Sequence, residues 1–452
     1  VSTNFNRYLI MKNIGLINLF LLFSLESACA EYNSAILPVN YPVSSKIESI
    51  PLPPVGKRWI LDEKFSDEFE GTKLDDSKWL DCHPNWIGRE PGLFEPSQVS
   101  LKDGMLLLKG EKMDKEKVIH AYGQDRVFNI SCAAVVSKTQ EAHYGYYECR
   151  FKANKTTLST TFWLSSRGGE GNFSTEGRQP EGAAKGKFSQ ELDICECIGR
   201  AGDFNGKFFS LGMNANIHYW FTPEGGSEKQ DIRAKETRLL RSDGKTPSEG
   251  FNIYGCWWKD ENTATFYLNN EQSNTVSFAN RKTGEPFCLT EPMGLNMVVE
   301  TYPQPWIALP TDEELSDPDK NTSYYDWVRS YILTDINKPD ARNGNSTVFK
   351  EHLQFIEKPE ILSCAENGKV RFQLAYTAGM DCEISILIYN AQNNLMAFEV
   401  FPVYSGYGNT FYSFPAQLTA GELYHAVAYI RPLGASGNEN AFEGDSFAFK
   451  CR

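Results

Sequence analysis

The chain has 452 residues, a formal net charge of −13 and a pI near 5.1. That balance excludes a nucleic-acid binder, which needs a basic footprint, and the length leaves room for a large core plus a second module. Aromatic residues are the compositional outlier at 13%, a share that suits sandwich cores and stacking platforms alike.

Residues 1–10 read as an upstream extension. From Met11, Lys12 precedes the apolar run Ile14–Phe23 and the small-x-small triplet Ala28-Cys29-Ala30, the pattern of a secretory signal peptide cleaved near Ala30. The run is too short to span a membrane, and nothing later in the chain could do so. A lipid anchor at Cys29 is the alternative, disfavoured by Glu26. Secretion would permit disulfides among the remaining cysteines, with a connectivity the sequence does not give. Cys195 and Cys197, two residues apart on a strand, lack the spacing of a zinc knuckle and read as buried apolar filler. Residues 31–57 form a Pro-rich lead-in.

Residues 58–335 carry short strands with turn signals between them. They start near Trp59 and include Val99–Leu101, Met105–Leu108, Cys132–Ser137, Tyr144–Ala153, Thr160–Leu164, Phe208–Trp220, Phe251–Lys259, Thr263–Asn269, Met293–Thr301 and Asp326–Leu333. Asp312–Leu315 suits one helical turn, and no long amphipathic helix appears. Many strands without intervening helices predict an all-β fold of two packed antiparallel sheets, a sandwich or jelly roll. Residues 336–350 read as a linker. Residues 351–452 read as a β-sandwich of immunoglobulin or fibronectin type, a structural or glycan-binding accessory.

The stretch Glu191-Leu-Asp-Ile-Cys-Glu196 holds three carboxylates in six residues. On a regular strand Glu191 and Asp193 share one face and Glu196 falls on the other. A one-residue bulge at Ile194-Cys195 would return Glu196 to the face of Glu191. The two glutamates then sit roughly 13 Å apart at Cα, and side chains leaning together leave about 5–6 Å between carboxyls, the spacing of a retaining glycosidase. Glu191, beside Asp193, is expected to stay ionised through hydrogen bonds, and Glu196 to have its pKa raised so that it donates a proton. A solvated acidic strand is the plain alternative. The long Gly-rich stretch 165–190 precedes this strand, and its Arg167, Arg178, Lys185 and Lys187 could meet sulfate groups or simply be solvated.

The Glu-x-Asp-x-x-Glu pattern of Glu191, Asp193 and Glu196 resembles glycoside hydrolase family 16. Phe65-Ser-Asp-Glu-Phe-Glu-Gly, Trp86-Ile-Gly-Arg-Glu-Pro, Thr161-Phe-Trp-Leu, Tyr254-Gly-Cys-Trp-Trp-Lys-Asp, Glu300-Thr-Tyr-Pro-Gln-Pro-Trp and Tyr325-Asp-Trp-Val-Arg resemble its branch of β-agarases and β-porphyranases. The resemblance implies a jelly roll with an open cleft, Glu191 as nucleophile, Glu196 as acid/base and Asp193 holding the nucleophile. It also places Trp163 in the cleft and strengthens His218 as a substrate contact. Trp86 and Trp306, in loops, are candidate stacking platforms. Arg89 could bind a hydroxyl or sulfate, Glu300 a hydroxyl, and one of Trp257 and Trp258 could line the cleft, Trp258 being chosen.

No cofactor is required by this chemistry. Asp67, Glu68 and Asp326 offer oxygen ligands for a calcium ion such as some family members carry, but read as surface charges. The sequons at Asn129, Asn154, Asn172, Asn321 and Asn345 matter where the source glycosylates them. The expected function is a secreted, monomeric, endo-acting retaining hydrolase of a red-algal galactan, agarose or porphyran. The rivals are a κ-carrageenase or furcellaranase and, from another class, a non-catalytic glycan-binding protein.

Overall fold

The computed structural model describes residues 50–166, 183–339, 346–363, 368–435, 437 and 440–452, with backbone alone for 183–187. The signal segment, Cys29, Arg167, Arg178, Asn172, Asn345, Cys364 and the side chains of Lys185 and Lys187 lie outside that description. The chain divides into two compact units, Leu61–Ile332 and Leu333–Arg452 together with the residues up to Ile60.

In the first unit one sheet runs in the order Gln230–Arg233, Gly212–Pro223, Ala183–Ile198, Ser159–Ser165, Gly294–Val299, Gln124–Ser137 and Trp79–Leu80. The other contains Thr263–Leu268, Asn252–Asp260, Gly145–Lys152 and, further along, the strand beginning at Thr322. Their pairings are antiparallel, as a jelly roll of hairpins and crossovers requires. The core lies between them, where Leu192, Ile194 and Cys195 of one sheet meet Tyr254, Cys256 and Trp258 of the other. Cys195 and Cys197 are fully buried there, and Cys197 lies against the Thr160 carbonyl. Cys82, Cys132, Cys149, Cys195, Cys197, Cys256, Cys382 and Cys451 are free thiols, contrary to the expectation of disulfides among them.

The strands differ from the expected ones chiefly where exposure hides the pattern. Glu111–Ala121 and Gln124–Ser137 form a long hairpin closed by Tyr122-Gly123, and Glu111–Ala121 is largely exposed, so it carries no apolar alternation to read. Phe208 sits in a 3₁₀ turn (Lys207–Ser210), and the strand begins at Gly212. The helical turn is Asp312–Ser316, started by a capping box between Thr311 and Glu314.

Asp67, Glu68 and Asp326, read as surface charges, each have a partner within the protein. Glu68 pairs with Arg329 at 2.8 Å, Asp326 pairs with Arg150, and Asp67 accepts from Trp79 Nε1 at 2.8 Å. Two sequons are also closed to modification, since Asn154 and Asn321 are buried and bonded through their side-chain amides.

The second unit has its own core, built from Val370, Leu374, Ile384, Ile386, Ile388, Ala426 and Ile430 among others. One sheet runs Lys57–Leu61, Gly406–Pro415, Lys369–Ala378, His352–Phe355, and the other Ile361–Leu362, Glu443–Cys451, Leu423–Pro432, Cys382–Asn390, Leu395–Val403. The strand at Trp59, expected to open the larger domain, has Lys57–Trp59 in register with Asn409–Tyr407 of this unit. A pair of polar groups is buried here, with Arg431 Nε on Glu383 Oε1 at 2.6 Å. No described helix is long and apolar enough to cross a membrane.

Candidate active site

The carboxylate strand lies inside the first sheet, between Ser159–Ser165 and Gly212–Pro223. Its register carries one extra residue. Against one neighbour Asp193 pairs with Trp163 and Cys195 with Phe162, so two steps on the carboxylate strand match one. Against the other, Asp193 pairs with Asn216 and Glu196 with Asn214, three steps matching two. The extra residue turns the strand by one face, which leaves Ile194 and Cys195 both in the core and brings Glu196 round to the side of Glu191 and Asp193. All three carboxylates line a cleft of about 770 Å³.

Trp86, Arg89, Trp163, His218, Glu300 and Trp306 line the same cleft. Trp258 does not. It is fully buried in the opposite sheet, edge-on to His143 and Tyr144. Its strand contributes to the core between the sheets, so neither face of that strand looks into the cleft, and the expectation for Trp258 is corrected.

Local sequence accounts for the loop that presents Trp86 and Arg89. Gly88 has φ +115°, and a Cβ there would meet the Gly92 carbonyl oxygen at 2.3 Å, so a side chain would prevent the chain folding back. Trp86 packs edge-on against Phe94 and Trp163, with centroids 4.8 and 6.3 Å away, while His83 stacks on Trp163. Arg89 lies over the rings of Trp86 and Tyr302 and 3.5 Å from Glu300. Trp306 is held by Phe209 and Tyr302.

His218 sits at the electrostatic centre. Its Nε2 is 3.3 Å from Asp193 and 4.0 Å from Glu191, and its Nδ1 is 2.9 Å from Asp231, which also pairs with Arg233. Burial opposes a charge on the ring, but the hydrogen bonds to Asp193 and Asp231 outweigh it and raise the pKa to about 10. His218 is therefore an imidazolium wedged among carboxylates.

Glu191, Asp193, Glu196 and Glu300 are all pushed upward by burial, whereas the bonds to His218 and Arg233 hold Asp231 low against its own burial. Burial raises Glu196 to about 7, with the His218 charge and the Tyr302 hydroxyl working the other way. Burial and then Asp193 raise Glu191 to about 7, against the pull of His218 and Lys229. The expectation that hydrogen bonds keep Glu191 low is thus corrected: its neighbours include another carboxylate. Its side chain keeps 25% exposure to the cleft, however, while that of Glu300 keeps 8%, so water relieves Glu191 more. Once Glu191 ionises, its charge helps hold Glu196 protonated.

Several groups at the site were not singled out from sequence. Tyr302 donates to Glu196 Oε1, Asp231 and Arg233 clamp His218, and Lys229 lies over the Trp220 ring. Glu191, Asp193 and His218 offer ligand atoms close enough for a metal ion. In this structure His218 meets Asp193 through Nε2 and Asp231 through Nδ1.

A jelly roll with two glutamates brought to one face of a cleft defines a glycoside hydrolase. The chain belongs to glycoside hydrolase family 16: residues 59–333 match the model of the β-porphyranase A–D GH16 domain, and residues 354–443 match a porphyranase-associated domain. It is 45% identical to β-porphyranase D of Zobellia galactanivorans over 386 residues, which cover 85% of this chain and 87% of that protein. Among solved structures it resembles a β-porphyranase from the human gut bacterium Bacteroides plebeius, at 36% identity and a TM-score of 0.55 over 64% of this chain and 96% of that one. Porphyranase B of Zobellia galactanivorans is similar at 33% identity and a TM-score of 0.51, over 66% and 100%.

Proposed function

We propose that this protein is a secreted, endo-acting, retaining hydrolase of a red-algal galactan, with porphyran before agarose as its substrate. The observation that carries the reading is the bulge at Ile194, which turns Glu191 and Glu196 toward one bound chain. Relatives named β-porphyranase support the choice of galactan. Arg89, Lys229, Arg233 and Arg238 give anionic groups on a substrate cationic partners in the cleft, three of them already paired with Glu300, Asp231 and Glu236.

Glu191 attacks the anomeric carbon while Glu196 gives its proton to the departing glycosidic oxygen. The C–O bond to the leaving sugar breaks as the bond to Glu191 forms. Glu196, now a carboxylate, then takes a proton from water, which attacks the same carbon and releases Glu191. The His218 cation favours the ionised form of Glu191 for the first step, and Asp193 holds His218 in place beside it. Trp163 and Trp86 offer flat faces for sugar rings on one side of the acids. The protein acts as a monomer, and the second unit is an accessory to the catalytic one.

Reducing-end release should be measured on porphyran, agarose, κ-carrageenan and laminarin, with the anomer of the first product followed by NMR. Porphyran should be cut fastest, with β-configured ends appearing first. Activity confined to κ-carrageenan or laminarin would overturn the substrate, and α-configured first products would overturn retention. Wild-type binding without hydrolysis, undiminished in Glu191→Gln, would make the protein a glycan-binding module.

A further inference from the structure

The hairpin Glu111–Ser137 reaches past the sheet, and Tyr122 at its tip lines the same cleft as the carboxylates. Tyr122 is a bulky residue held at φ 54°, a backbone region that disfavours side chains, and the residue is 59% exposed. An exposed aromatic on a bent backbone would be an odd choice for a turn with no further role.

The ring is nonetheless fixed. Its hydroxyl donates to the Asn85 carbonyl and accepts from the Ile87 amide, each at 3.3 Å. Arg126 lies over the ring, 5.3 Å from the centroid. Arg126 is itself paired with Glu90 at 3.0 Å, and the other Glu90 oxygen accepts from the Val127 amide at 2.7 Å. The tip of the hairpin is thus bolted to the loop that carries Trp86 and Arg89.

Sheet order arranges the residues that line the cleft. Trp220 and Arg233 flank the carboxylate strand on one side. On the other come Trp163, then Glu300 following the next strand, then the loop with Trp86. Tyr122 is bonded to both flanks of Trp86, at Asn85 and Ile87, on that second side. We propose that Tyr122 is the stacking platform of an outer sugar subsite, which takes a galactose-type ring of the same chain past the residues held by Trp163 and Trp86. Arg126 covers one face of the ring and the exposed area is what a pyranose would meet. The inference rests on the galactan reading above. An outer platform adds binding energy for long chains that a short oligosaccharide cannot use.

The test compares wild type, Tyr122→Phe and Tyr122→Ala on polymeric porphyran and on the shortest porphyran oligosaccharide that wild type cleaves. The readout is the ratio of kcat/KM on polymer to kcat/KM on the oligosaccharide. Tyr122→Ala should lower that ratio about fivefold, and Tyr122→Phe, which keeps the ring and loses the tether, should lower it less than twofold. An unchanged ratio in Tyr122→Ala would overturn the subsite. So would an equal fall in both variants, since the hydroxyl tether would then be the part that matters. Hydrolysis of porphyran by wild type in the same assay keeps the galactan reading standing whichever way Tyr122 falls. Its absence would sink that reading first.

Discussion

Tyr302 donates its hydroxyl hydrogen to Glu196 Oε1 at 3.0 Å, from the loop that follows the strand Gly294–Val299. The bond fixes the rotamer of the proposed acid and leaves its other oxygen for the scissile bond. It also favours the carboxylate over the acid, so it holds Glu196 lower than burial alone would.

Tyr302→Phe removes that donor and leaves the ring against Arg89 and Trp306. The pKa of Glu196 then rises above about 7 and the acid stays protonated to higher pH. The alkaline limb of kcat/KM should move up by about one unit, as expected for a hydrogen bond to a charged group. The value of kcat should fall several-fold because the acid is less well oriented. A pH profile checks it. A fall in rate with the limb unmoved would mean that Tyr302 merely packs.

Asp231 acts on Glu191, the proposed nucleophile, through His218. Its carboxylate is one of two that hold the imidazolium, and that cation opposes the protonation of Glu191. Asp231→Asn removes one of the two hydrogen bonds that raise His218, and the His218 pKa falls from about 10. Asp231 also raises Glu191 directly, by less than His218 lowers it, so the loss of the His218 charge governs wherever the ring gives up its proton. There the pKa of Glu191 rises, and the acidic limb should shift upward by about half a unit or more. A profile of Asp231→Asn parallel to that of wild type would remove Asp231 from the mechanism.

How much of this was visible in the sequence follows from what spacing can carry. Three acids in six residues demand a bulge if Glu191 and Glu196 are to meet, and the register contains it. Loop tryptophans such as Trp86 and Trp306 also stand out in the sequence, and both line the cleft, held by Phe94, Trp163, Phe209 and Tyr302. Trp258 shows the limit. Two adjacent tryptophans on a strand must face opposite ways, but which sheet owns the strand depends on pairings the local sequence does not encode. Asp231 and Arg233 sit on the four-residue strand Gln230–Arg233, too short and too polar to show a period. The hairpin carrying Tyr122 escaped for a similar reason, since a strand exposed on both faces has nothing apolar to alternate.

The placement of Trp258 has its own consequence. Fully buried among Cys195, Tyr144 and Phe266, it stabilises the packing of the two sheets and touches no sugar. Trp258→Ala should cost about 3–5 kcal/mol of stability, by lost burial and the cavity left behind. Trp258→Phe should cost less. The milder variant should keep KM for porphyran within about twofold of wild type, whereas its Tm should fall by several degrees. Calorimetry with steady-state kinetics separates the two. A KM rise of tenfold without loss of Tm would restore Trp258 to the cleft.

Glu300 carries a stability cost that depends on pH. It is buried, with Arg89 3.5 Å away as its charged neighbour, and burial raises its pKa to about 7 from the ordinary 4.5. Below pH 4.5 the carboxyl is neutral in folded and unfolded chains alike, and it costs nothing by this route. As pH rises from 4.5 to 7 the unfolded chain gives up the proton while the folded one retains it. The unfolded state then binds fewer protons, so stability falls as pH rises, and the cost is complete above 7. A shift of that size corresponds to a ceiling of about 3 kcal/mol. Glu300→Gln removes the charge and keeps the shape. The Tm of the variant should exceed that of wild type by several degrees at pH 8.5, and the difference should close as the pH approaches 4.5. Activity should fall at the same time, because Arg89 loses the charge that holds it over Tyr302 and beside the cleft. Scanning calorimetry at the two pH values is the check. A variant less stable than wild type at pH 8.5 would mean that the Arg89 ion pair outweighs the burial of the carboxylate.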